Sequence, residues 1–462
     1  MLSILERGML SSRWRHARLE TQESRMTTPA NGATLVERAA LPVEDVTRWH
    51  ATIADELREA FEACLPAPRF TLGPNLREFE AEFAAYCGAG AGIGISSGTA
   101  ALALALRALG VGPGDEVITV PNTYVATVFA ITYVGALPVF VDVDPVTANM
   151  DPVRVAEALT PATKVILPVH LYGQCVDVDA LREAAPGIPM LEDAAHAHGA
   201  THGERKAGSL GELAAFSFYP SKVMGALGDG GFISTSDAEL EARLRQLRYM
   251  GQKGVKHEHL ILGYQERLDE MQAAFLRVKL RHLEEQVAGR RRVAARYRVL
   301  LADTPLELPA HDVTGRHVYY MYTVLAPRRD ELRAHLEARG IGTQMIYPKL
   351  VPDQGAYRDH PWRAADDLAV ARSLVSRLLC LPMFAELTDE EVDRVSEAVT
   401  SSTRLDEREP SAGRPGRQRR VHPGADGRHR GLARRSRSPP LAGDHPAWAI
   451  GPEAASRVGC LP

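Results

Sequence analysis

The sequence predicts an α/β protein, a mostly parallel sheet flanked by helices, with a smaller C-terminal α+β domain. Three observations lead there. Short apolar, β-branched stretches recur along the chain, helix-like segments separate several of them, and a long helical stretch then leads into a second region. Buried strands that alternate with helices form a parallel sheet covered on both faces, because each crossover lays a helix on the sheet. Ligands of such sheets bind beyond the carboxyl ends of the strands.

The expected strands cover 92–95, 116–120, 137–141, 164–169, 189–191, 214–218 and 232–235. Helices are expected over 100–109 and 152–159, and a long one over 269–300. Beyond it, 317–325 reads as a strand and 329–339 as a helix, with a break at Gly340-Ile341-Gly342. The last helix begins at Thr388-Asp389-Glu390-Glu391, a capping box, and carries Val392, Val395 and Val399 on one face. The folded body is expected to end near Val399. The domain reading is an N-terminal extension over 1–35, disordered or from a start set too early, and a large cofactor-binding domain over 36–285. A small domain over 286–400 and an Arg/Gly/Pro-rich tail over 401–462 complete it.

Composition narrows the function classes. The 462 residues are 45% hydrophobic and 24% charged, as in a globular protein. The tail holds twelve arginines against six acids. With a net charge of −4 for the chain, the rest stands near −10, which argues against nucleic acid as the main partner. The five cysteines form no CxxC pair, which gives no zinc or disulfide framework and fits a reducing cytoplasm. Apolar runs are strand-sized, and the N-terminus lacks the apolar core of a secretory signal, so neither a membrane span nor export is expected.

Three motifs carry chemistry. Ser96-Ser97-Gly98-Thr99-Ala100 joins a strand to a helix. Exposed amides at a helix start bind anions, and Gly98 permits close approach, although such a run is more often an ordinary cap. Leu191-Glu192-Asp193-Ala194-Ala195-His196 ends a strand in an acid, which could hold a pyridine nitrogen protonated or cap the next helix. Neighbours on a strand alternate faces, so Glu192 is expected to point away. His196 could contact a ligand or sit satisfied in the core. Phe216-Ser217-Phe218-Tyr219-Pro220-Ser221-Lys222 delivers a lysine into a glycine-rich loop, where a lowered pKa would make it a nucleophile and base. A solvated lysine is the commoner fate.

In this order, with Asn122-Thr123-Tyr124 between the first two, the motifs resemble the DegT/StrS-type sugar aminotransferases, fold-type-I pyridoxal-phosphate enzymes. The resemblance runs from about Arg69 to Val399 and includes Phe70-Thr71-Leu72-Gly73-Pro74 and Arg267-Leu268-Asp269-Glu270-Met271-Gln272. It implies pyridoxal 5′-phosphate held by Lys222 as a Schiff base, with Asp193 on the pyridine nitrogen. Tyr124 would stack on the ring. Gly98, Thr99 and Ser217 would hold the phosphate, and His196 stands where many members have Gln near the ring hydroxyl. Gln265 stands where many have an Asn that reaches the neighbouring subunit's cofactor phosphate. The chain departs from the family at Val223-Met224 and Ile346-Tyr347-Pro348 as well.

The implied reaction is ping-pong transamination. Glutamate or glutamine gives its amino group, and Lys222 moves the proton. A nucleotide-linked keto-sugar becomes an amino-sugar, for polysaccharide, antigen or secondary-metabolite biosynthesis. Members are usually homodimers with shared active sites, without metal. Three other readings stay open: a pyridoxamine-phosphate deoxysugar dehydratase, in which the lysine is typically His; a lyase or desulfurase, which would need a mobile catalytic Cys; and a non-catalytic regulator on the same scaffold.

Overall fold

The computed structural model describes residues 40–254 and 257–406. The expectations for 1–35, and for the tail beyond residue 406, lie outside the described residues. The main sheet contains β1 (Ala91–Ile95), β2 (Glu116–Thr119), β3 (Leu137–Phe140), β4 (Thr163–Ile166), β5 (Leu191–Asp193), β6 (Leu213–Ser217) and β7 (Gly231–Thr235). Later in the chain come β8 (Tyr322–Leu325), β9 (Arg363–Ala364) and β10 (Leu378–Leu381).

The ladders run β9-β3-β2-β4 and β5-β6-β7-β1. Parallel bridges Ile166 to Met190 and Val169 to Asp193 join them edge to edge. Within these two ladders every pairing is parallel except those of β7, which is antiparallel to both β6 and β1. The mostly parallel sheet is therefore as expected. Its strands are buried on both faces, and all five residues of β7 are buried. Helices Gly98–Ala108 and Pro74–Cys87 cover opposite needs: the first opens the anion site, and the second packs Phe79 and Phe83 onto the sheet. Phe83 lies 5.1 Å from Phe216 and 4.9 Å from Phe232, and Phe79 lies 5.5 Å from Phe218, all edge-on. These aromatic pairs seat the end of β6 from which the lysine loop departs.

A second core joins Val293 and Tyr297 of helix Leu283–Leu300, Tyr322 of β8, Leu336, and Val392, Val395 and Val399 of the last helix. Leu41, near the start of the described chain, belongs to it too. The capping box forms: Glu391 N donates to Thr388 Oγ1 (3.2 Å) and Thr388 N to Glu391 Oε2 (3.0 Å).

Several boundaries differ from expectation. The strand expected over 189–191 is Leu191–Asp193, and that expected over 164–169 ends at Ile166. The long helix is two, Glu270–Arg281 and Leu283–Leu300, broken at His282, whose ring is held by Glu56 at 2.8 Å. The strand expected over 317–325 begins only at Tyr322. Tyr319 has φ 49°, and Val318 N donates instead to Gly173 O (2.9 Å). The last helix, Asp389–Asp406, passes the expected end at Val399. Thr400 and Ser401 hydroxyls donate to carbonyls of Ser396 and Ala398, so this turn needs no apolar face. No helix among the described residues is long and apolar enough to cross a membrane.

Glu192 points away from the strand-end site, as expected, and it has a strong structural role there. Its buried carboxylate accepts from the amides of Gly208 (2.9 Å), Leu210 (2.8 Å) and Gly211 (2.8 Å) and from His170 Nε2 (2.9 Å). Glu192→Ala strands all four donors in the core. Urea unfolding should show a loss of roughly 3 kcal/mol or more, with an unchanged result refuting the role.

Candidate active site

The carboxyl ends of β1, β2, β5 and β6 open into one cavity of about 500 Å³. It brings together Gly98, Thr99, Tyr124, Asp193, His196, Ser217 and Lys222. Gln265 is the exception among the expected site residues. It is exposed, bridged to Tyr249 near the base of an outer loop, and does not line the cavity.

At the first wall, Ser97 caps helix Gly98–Ala108 through Ala100 N (3.2 Å), which leaves the Gly98 and Thr99 amides for a ligand. The backbone is tightly packed there. A Cβ on Gly98 would lie 2.7 Å from Ser217 Cβ, and one on Gly231 would lie 2.3 Å from the Ser97 carbonyl. Only glycine allows β7, the helix start and Ser217 to converge. The Ser96 hydroxyl turns away to Glu266.

Asp193 is buried at the cavity base. Its Oδ2 accepts from Thr127 Oγ1 (2.7 Å), which in turn accepts from Thr123 (2.8 Å), and its Oδ1 accepts from Ala195 N (3.2 Å). Burial raises its pKa, while Thr127, the Ala195 amide and the charge on Lys222 pull it back down. A cationic ligand nitrogen is what such a carboxylate lacks. It caps no helix, because a turn follows it.

Lys222 follows β6 by a short turn. Leu227 is clamped by Gln272 in both directions (2.9 and 3.2 Å), and Gly225 O accepts from buried Lys279 Nζ (2.6 Å). Val223 and Met224, where the chain departs from the family pattern, are buried and anchor the loop from below. Lys222 Nζ lies 4.5 Å from the Tyr320 ring centre. Burial pushes its pKa down to about 8, against the pull of Asp193 and Glu44. Near neutral pH its amine therefore moves readily between charged and free forms.

His196 Nδ1 accepts from Tyr172 N (3.3 Å), which puts its proton on Nε2, facing Tyr347 OH at 3.1 Å. Burial holds it neutral. Tyr124 is 55% exposed at the mouth, with its ring 5.6 Å from Tyr347.

Sequence reasoning missed Glu44, Thr127, Ser221 and Tyr320 as cavity residues. Thr127 lies in the first turn of helix Val125–Tyr133, four residues after Thr123, a readable spacing. Glu44 had no local signal, since it arrives through tertiary contacts.

The residues fit pyridoxal phosphate: amides and hydroxyls for a phosphate, a buried carboxylate for a ring nitrogen, and an amine of lowered pKa for covalent attachment. The model of the DegT/DnrJ/EryC1/StrS aminotransferase family matches residues 51–400. The chain is 42% identical to a pleiotropic regulatory protein of Geobacillus stearothermophilus, over 78% of this chain and 97% of that one. It is 43% identical to the dTDP-3-amino-3,4,6-trideoxy-alpha-D-glucose transaminase of Streptomyces venezuelae, over 79% and 96%. Among solved structures, S. venezuelae DesV in complex with a ketimine intermediate superposes with TM-score 0.76 and 43% identity, over 79% of this chain and 98% of that one.

Proposed function

The chain belongs to the DegT/DnrJ/EryC1/StrS aminotransferase family, and from that premise we propose that it moves an amino group from glutamate or glutamine onto the keto carbon of a nucleotide-linked sugar. It is a pyridoxal-phosphate-dependent aminotransferase of fold type I. The observation that carries the substrate-side proposal is one cavity in which Lys222, Asp193 and a hydroxyl-lined helix start meet.

The bound cofactor supplies an electron sink for the carbanion formed when an amino acid loses its α-proton. The protein's own residues do the rest. Gly98, Thr99 and Ser217 hold the phosphate, and Asp193 keeps the ring nitrogen protonated. Tyr124 would cover the ring, and neutral His196, its Nε2 facing Tyr347 OH, would stand near the ring hydroxyl. Lys222 would hold the cofactor covalently and would take and return the proton at the donor's α-carbon. Ile346 and Tyr347 line the opposite wall, where the sugar would lie.

We place the enzyme in the cytoplasm as a homodimer. The loop before Gln265 exposes Leu260 and Ile261, and Leu262 is 96% exposed. An apolar run of this kind suits burial against a second copy, which would carry Gln265 toward the partner's cofactor.

The test is two half-reactions. Glutamate or glutamine should convert the purified holoenzyme to its amino form, seen as loss of the visible band. A dTDP- or UDP-linked keto-sugar should restore the band and yield amino-sugar, while the free sugar should not. Restoration by α-keto acids alone would sink the sugar reading. A nucleotide-sugar consumed without amino-sugar would favour the dehydratase, against which Lys222 counts. The regulator reading draws on the names of two relatives, a pleiotropic regulatory protein and a sensory transduction protein, and the shared placement of Lys222 and Asp193 weighs against it.

A further inference from the structure

Glu44 lines the same cavity as Lys222, and the chain delivers it there by a rigid route. Leu41 N donates to Gly340 O (2.8 Å), Gly342 N to Leu41 O (2.7 Å) and Met383 N to Val43 O (2.9 Å). Immediately after, Asp45 caps helix Val46–Thr52 through Thr47 N (2.9 Å). Glu44 is thus fixed from both sides, and it lines the cavity together with Ser221 and Lys222. Tyr320 lines it too, with its ring centre 4.5 Å from Lys222 Nζ.

Asp229 also lines the cavity, as an exposed residue, and the other titratable groups around the lysine offer it no negative charge. His196 and His198 are held neutral by burial. Burial likewise keeps the Tyr320 and Tyr347 phenols protonated. Arg290 is buried and donates to the carbonyls of Tyr319, Tyr320 and Met383 (3.3, 3.2 and 3.1 Å). The acids that act on Lys222 are Asp193 and Glu44. Asp193 is committed to the ring nitrogen once the cofactor is bound, an assignment that rests on the function proposed above.

We propose that Glu44 is a positioning residue for the reaction, the counter-charge that holds the nitrogen of Lys222 and sets its protonation while Asp193 serves the ring. Burial raises the pKa of Glu44, while Arg290 and Lys222 stabilise its charged form. A purely structural Glu44 would serve Arg290 alone.

The experiment is a pH titration of the visible band in substrate-free holoenzyme, for wild type, Glu44→Gln and Glu44→Asp. Removing an anion disfavours the protonated nitrogen, so the Glu44→Gln midpoint should fall by about one unit, while Glu44→Asp stays near wild type. If Glu44→Gln fails to take up cofactor, the pH dependence of Lys222 labelling by an amine reagent, followed by mass spectrometry in the cofactor-free protein, should show the same downward shift. A Glu44→Gln protein that titrates like wild type overturns the proposal, even if it melts earlier, since lost stability alone assigns Glu44 to Arg290. A wild type that gains no visible band with added cofactor fails the cofactor reading itself, and the proposal with it.

Discussion

Lys222→Ala should lower transamination by about 10⁴-fold or more, because one amine serves as both covalent anchor and proton carrier. Its geometry makes this a test of chemistry and not of folding. The loop is held by Gln272, Lys279 and the buried Val223 and Met224, none of which touches the Lys222 amine as a partner. Linkage sharpens the point. The folded-state pKa of Lys222 is depressed from 10.5 to about 8, so its contribution to stability is present above pH 10.5 and lost as pH falls through 8. Near pH 7 the cofactor-free variant should therefore melt no earlier than wild type. Borohydride should trap cofactor on residue 222 of the wild type alone. Wild-type turnover by the variant, or trapping on another lysine, would remove Lys222 from its assigned role.

Asp193→Asn should lower turnover by roughly 10²–10³-fold, since a neutral amide cannot hold the ring nitrogen in its cationic form. Here too, stability and activity should part. The pKa of Asp193 is raised by burial, so its stabilising effect is complete below its ordinary value near 3.8 and lost as pH rises through the folded-state value. The empty site holds a buried carboxyl group whose hydrogen-bond partners are Thr127 and one amide. The asparagine oxygen can keep the Thr127 bond. The cofactor-free variant should thus melt at the same temperature as wild type or higher, while the turnover number falls. Equal losses in melting temperature and turnover would point to a structural role instead.

What could be read from sequence was what local chemistry decides. Strand composition places β1, β2, β3, β6 and β7 to within one residue at each end, while β5 lies two residues later than expected and β4 ends three residues earlier, and the alternation of neighbours separates Asp193 from Glu192. The helix-start glycine and the lysine loop sit on consecutive chain segments, so their spacing was visible. What escaped depends on distant contacts. The Tyr319 turn is set by the Gly173 carbonyl, and the break at His282 by Glu56. Glu44 enters the cavity only because residues near 340 and 383 hold its backbone. Gln265 is the remaining case: its expected role needs a second subunit, and within one chain it stands apart from the cavity.

The latch at Leu41–Val43 also fixes an order of assembly. These residues are among the first of the folded body to leave the ribosome, yet their partners, Gly340, Gly342 and Met383, are among the last. The sheet can form earlier, because β1 needs only β7. A nascent chain will therefore hold a nearly finished sheet and an open lysine loop while one wall is still missing. Cofactor captured during synthesis would meet Asp193 and Lys222 before Glu44, and chains released early would present that open edge to chaperones and proteases.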